Sequence, residues 1–164
     1  TYQTAHKAAA DLVTAIATAG TASTATAVGV PAIKATTITQ PLIAQAMGKL
    51  SEEAADPVII MNRETEAAFK GVQYSGSFAT DIFEGLPRVY SSALKAFSAA
   101  TSGDTYAIVG DLGRGAQANF PNGNEISIKF DDLSLAEKDL VKIVGREFVA
   151  LGVVGPGCFV NITK

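Results

Sequence analysis

One cysteine and one histidine in 164 residues remove much of the usual chemistry at the outset. Cys158 has no partner for an internal disulfide, and its apolar run with no basic neighbour marks a small packing residue, not a reactive thiol. A histidine-dependent triad would have to run through His6, far in sequence from any nucleophile, and Ser75 lacks the Gly-x-Ser-x-Gly elbow. Metal ligation would fall to carboxylates without clustered spacing. The adjacent pairs Glu52-Glu53 and Asp131-Asp132 point apart on a helix or strand, so solvated surface charge accounts for them. The expectation is therefore no enzyme, no metal and no cofactor. No apolar run approaches the ~20 residues that span a bilayer, so no membrane partner is expected. The net charge of −3, without a basic cluster, gives no footprint of a dedicated nucleic-acid binder.

What is present is a core. Apolar residues make up 48% of the chain against 18% charged, the balance of one globular domain. The chain starts at Thr1, not Met, and enters a helical pattern almost at once, which suggests a piece of a longer protein without a signal sequence. Residues 3–19 place Ala9, Leu12, Val13, Ile16 and Ala19 at helical spacing, with Gly20 as the stop. The Thr/Ala/Ser tract 21–37 reads as an exposed connector. A second helix begins near Thr39 with Pro41 in its first turn and Leu42, Ile43, Ala46, Met47 and Leu50 inward. Pro57 to Met61 is a short apolar strand buried on both faces. Asn62 caps a helix through Lys70, with Gly71 as its stop, and 71–81 has loop composition carrying Tyr74 and Phe78. Aromatics on a loop anchor contacts or fold back onto the domain, and composition leaves both open. Leu86 to Tyr90 reads as a strand in which Pro87, unable to donate to a ladder, marks either the start or an edge position.

The last sixty residues organise the rest. Asp104 to Val109 is a β-branched and aromatic strand closed by Gly110-Asp111. Ala116, Ala118 and Phe120 alternate with polar residues, Pro121 to Asn124 supplies a tight turn, and Glu125 to Phe130 returns as the second arm of a hairpin. Leu140 to Val154 fits a strand face or a helical stripe. Its six β-branched residues in fifteen favour the strand, with a helical turn at 134–139 as the alternative. Gly155-Pro156-Gly157 reverses the chain into a final strand from Cys158 to Thr163. Gly110, Gly113 and Gly115 lack the spacing and the following helix of a phosphate cradle, so they read as turn glycines before a strand.

The order of these features resembles the major capsid proteins of tailed bacteriophages with the Hong Kong 97-type fold. Val58 to Asn62 with its following helix, Gly85-Leu86-Pro87 with Val89, Val109-Gly110-Asp111, and Arg146, Pro156 and Phe159 before the closing strand carry the resemblance. Arg63 stands where proline is common, and Arg88 separates Pro87 from Val89; these are the two departures. The resemblance implies an α+β fold with a central, mostly antiparallel sheet flanked by helices. Residues 1–37 would end the peripheral domain, 38–139 would form the axial domain, and 140–164 would return to the periphery as closing strands. It further implies pentamers and hexamers of an icosahedral shell around packaged double-stranded DNA, without sequence-specific contact. Portal and scaffold or maturation protease would be partners, in a virion made in the bacterial host cytoplasm. Residues 71–81 and 112–124 would lie toward the capsomer axis, making Tyr74, Phe78, Arg114, Asn119, Phe120 and Asn122 the candidate subunit contacts. The alternatives are an encapsulin-like nanocompartment shell and, from another class, a small α/β nucleotide-binding domain using the turns at 110–115.

Overall fold

The computed structural model describes residues 2–19, 29–76, 81–120, 127–131, 142–146 and 150–164. The chain divides into two units, one of Thr1–Gln117 with Leu151–Lys164 and one of Ala118–Ala150.

The first unit is built on a five-stranded sheet whose centre is β4 (Thr105–Gly110), buried at all six positions. Its β-branched and aromatic residues fill both faces, which is why no polar alternation shows in the sequence. The final strand β9 (Phe159–Thr163) lies antiparallel on one side of β4, and β2 (Val58–Met61) antiparallel on the other. Two three-residue strands close the sheet, both by parallel pairing: β1 (Ala32–Lys34) beside β9 and β3 (Arg88–Tyr90) beside β2. Antiparallel pairing thus holds the centre and parallel pairing the two rims, in the order β1-β9-β4-β2-β3.

Side-chain parity then sorts the core into two layers. Ile59, Met61, Ala107, Val109, Val160 and Ile162 pack with α2 (Leu42–Met47) and α3 (Arg63–Ser75). Ile60, Ile108 and Phe159 pack on the opposite face with Val13 and Ile16 of α1 (Tyr2–Ala19). Tyr106 breaks the alternation, and the register explains it: Ile162 pairs with Ala107 and Thr163 with Thr105, so Tyr106 is the extra residue of a β-bulge. It joins the α2/α3 layer, meets Phe97 edge-on at 5.0 Å and donates its hydroxyl to the Ala35 carbonyl at 3.1 Å. Burial pushes that phenol up to about 12.

Four expectations change. The connector 21–37 contains a strand, since β1 joins the sheet, Val30 is buried and Asn161 N–H donates to the Pro31 carbonyl. Two β-branched residues beyond the Thr/Ala run, Val30 and Ile33, supply the apolar surface that the run itself lacks. Gly71 does not stop α3, which runs on to Ser75 and closes at Gly76 through bonds to the Val72 and Gln73 carbonyls. A solvent-facing glycine costs a helix only about 1 kcal/mol, less than the turn of hydrogen bonds that follows it stabilises. A four-residue helical turn, α4 (Leu112–Gly115), intervenes between Gly110-Asp111 and the next strand, β5 (Ala116–Asn119). The hairpin partners also differ among the described residues: β5 is laddered with β8 (Ala150–Val153), and β6 (Ser127–Asp131) with β7 (Lys142–Arg146). Alternation identifies a strand but not its neighbour. The region 140–154 therefore holds two strands, and the turns placed at 121–124 and 134–139 lie outside the described residues.

The second unit contains the antiparallel β6–β7 ladder, in which Phe130 stands opposite Ile143 and Ser127 opposite Arg146.

Candidate interaction surface

The rim strand β3 is exposed at all three residues, and its outer edge, unpaired among the described residues, has a readable polarity. Ile59 N–H donates to the Pro87 carbonyl and Ser91 N–H to the Met61 carbonyl, so residues 87, 89 and 91 bond inward to β2. The backbone groups of Arg88 and Tyr90 consequently face away from the sheet.

Two arginines near this rim sit over aromatic rings. Arg63, the first residue of α3, has its guanidinium carbon 4.3 Å from the centre of the Tyr90 ring, and Arg88 sits 5.3 Å over Phe83. A cation over an aromatic face is attracted by the ring quadrupole, which helps to hold the guanidinium in place. Asn62 fixes the start of the helix, its Oδ1 accepting from Glu64 N–H at 3.1 Å. Behind the rim, Glu66 is buried and takes an ion pair from Lys70 at 2.8 Å, with Arg88 at 3.8 Å. The Lys70 hydrogen bond lowers the Glu66 carboxyl below its usual range; burial opposes this, and the Tyr90 hydroxyl adds to the lowering. Where β3 ends, His6, Asn62, Arg63, Tyr90, Ser91 and Ser92 surround a cleft of about 290 Å³. None of these lining residues is a carboxylate, so the cleft offers donors, a fixed cation and an aromatic wall: a seat for an anionic oxygen group.

A second built feature lies at the other end of β2. The Asp111 side chain is buried and accepts four backbone N–H bonds, from Ala55 (3.0 Å), Asp56 (3.2 Å), Gly113 (2.8 Å) and Arg114 (3.3 Å). Burial raises this carboxyl, but the four amide donors together outweigh it and hold it below the ordinary value. Gly110 precedes it because a Cβ there would overlap the Cys158 carbonyl and the Phe159 side chain. The Gly-Asp pair is thus a packing and capping device. With only one helical turn behind it, it is no phosphate cradle.

The contacts expected from sequence are distributed over several elements. Tyr74 is 64% exposed but belongs to the last turn of α3, not to a loop. Arg114 is exposed in α4. Asn119, in β5, and Phe120, at 37% exposure, belong to the second unit. Phe78 and Asn122 lie outside the described residues. Sequence reasoning passed over the cleft. Its one signal was Arg63, which together with Arg88 departs from the family pattern.

No family model matches this sequence, and no curated protein matches it. Solved structures do. The chain is similar to the capsid of an empty GTA particle (TM-score 0.65, 14% identity, 82% of this chain and 49% of that one). It is also similar to the SrpI encapsulin of Synechococcus elongatus PCC 7942 (TM-score 0.58, 15% identity, 80% and 52%). Gordonia phage Cozz gives a TM-score of 0.55 at 13% identity, over 96% of this chain and 60% of that one. The chain spans about half to three-fifths of the length of these structures. It has the Hong Kong 97-type fold of phage major capsid proteins.

Proposed function

We propose that this chain is the shell-forming part of a major capsid subunit, which assembles through copies of itself into pentamers and hexamers of an icosahedral head. The fold shared with the capsid of a GTA particle and with an encapsulin carries this reading. Each subunit would meet its neighbour through unlike patches that close as a ring, and many modest interfaces would sum to a stable wall. Packaged double-stranded DNA would lie against that wall without base readout; the net charge of −3 suits a lining that does not grip phosphate. Portal and scaffold or maturation protease would be its further partners, in a virion made in the bacterial host cytoplasm. Residues 38–139 would form the axial part, with Tyr74, Arg114, Asn119 and Phe120 among the subunit contacts. The likeness to the Synechococcus encapsulin favours one second reading, a nanocompartment shell built in the same way.

The test is to express the complete gene product and examine it by electron microscopy. Closed particles are expected; DNA-filled heads beside a portal separate a phage from a compartment holding a cargo enzyme. Only soluble monomers at high concentration would overturn the reading.

A further inference from the structure

Ring closure needs two different surfaces on one subunit that fit each other, and the first unit carries a pair of opposite charge at the two ends of strand β2. At the far end is the cleft with Arg63 held on Tyr90, its seryl and amide donors, and no carboxylate among its described lining residues. At the near end is the turn 51–56, where Glu52, Glu53 and Asp56 are all exposed. This turn is held in place: Ala55 and Asp56 N–H are bonded to buried Asp111, and Ser51 N–H donates to the Gly157 carbonyl at 2.8 Å. Its acids are therefore presented from a fixed backbone, and the four-residue strand separates them from the cleft by about 13 Å or more. A subunit cannot satisfy its own cleft with its own turn across that separation, but a neighbour can.

We propose that the Arg63–Tyr90 cleft receives the acidic turn Glu52–Asp56 of the next subunit in the ring. Arg63 would pair with a carboxylate through its guanidinium N–H groups, and Ser91 and Ser92 would donate to the remaining lone pairs. Nucleic-acid phosphate shares this anionic chemistry. The second copy is favoured because the acidic partner is built into the same chain, while the chain as a whole repels polyanions with its net charge of −3. The inference rests on the capsid reading and specifies which patches meet.

The experiment uses the complete gene product in four forms: wild type, Arg63→Glu, the Glu52→Lys/Glu53→Lys double variant, and all three changes together. Assembly is read by sedimentation and electron microscopy, and folding by circular dichroism. Each reversal alone should lower the assembled fraction at least tenfold, and the combined variant should regain most of it. Arg63→Gln serves if Arg63→Glu does not fold, with an intermediate loss that shrinks as salt screens the wild-type pair. Wild-type assembly of a folded Arg63→Glu, or no recovery in the combined variant, would overturn the pairing while leaving the capsid reading intact. So would unchanged assembly of Arg63→Glu with loss of duplex-DNA retention, which would assign the cleft to phosphate. A wild type that never assembles would overturn the capsid reading itself, and this inference with it.

Discussion

Asn161 donates from Nδ2 to the Ile16 carbonyl at 2.9 Å, joining β9 to the last turns of α1 across 145 positions of sequence. The same amide reaches Ala17 O at 3.3 Å, and Thr105 Oγ1 donates to that carbonyl from β4 at 3.2 Å. The final carbonyls of a helix have no partner within it. Here two neighbouring central strands supply one, and so seat α1 on the sheet.

Asn161→Leu removes donors from buried carbonyls without creating a large void. A loss of roughly 1–3 kcal/mol is expected, seen as a lower thermal midpoint with faster amide exchange confined first to α1. An unchanged midpoint and uniform exchange would show that Val13 and Ile16 alone seat the helix.

Asp111 ties acid stability to the Gly-Asp turn. Its carboxyl is lowered in the folded protein, so its contribution is fully present above the unfolded carboxylate value and is lost as pH falls through the folded one. That places the effect below about pH 4. Urea midpoints taken from pH 7 to pH 2 should fall for wild type, and Asp111→Asn should start lower and lose less over the same interval. Parallel curves would refute the assignment.

Two glycine substitutions should move stability in opposite directions. In Gly110→Ala the new methyl meets the Cys158 carbonyl and the Phe159 backbone, neither of which is a flexible side-chain end, so a cost of about 1–3 kcal/mol is expected. Gly71→Ala meets nothing within 4 Å and lies inside α3, so it should gain up to about 1 kcal/mol. Chemical denaturation of both variants checks the pair, and a destabilised Gly71→Ala would contradict the uninterrupted course of α3.

Tyr74→Ser should leave the fold in place, because the ring is mostly exposed, and should lower capsomer yield several-fold if the end of α3 meets a neighbour. Size-exclusion chromatography beside circular dichroism separates the two effects. A wild-type yield would remove Tyr74 from the contact set.

Most of the sheet was legible because its signals are local. Val58 to Met61, Thr105 to Gly110 and Phe159 to Thr163 are β-branched runs bounded by Pro, Gly or Asn, and Asn62 announces α3 by its cap. Pairing was not legible, since β1 reaches β9 across more than a hundred residues and nothing local in Ala32–Lys34 names that partner. The bulge at Tyr106 was hidden for the same reason: it exists only against the register of β9. The cleft was hidden because a cation and a ring 27 positions apart carry no joint signature until α3 and β3 bring them together. Arg63 and Arg88 drew notice only as misfits to a pattern. Their stacking gives those misfits a physical use.

The shortness of the two rim strands has a consequence for aggregation. β1 and β3 offer three residues each, flanked by Pro31 and Pro87 and carrying Lys34 and Arg88. So brief and charged a margin gives a stray chain little backbone to zip onto. At high concentration such a margin disfavours the edge-to-edge stacking of one copy on another that ends in fibrous precipitate.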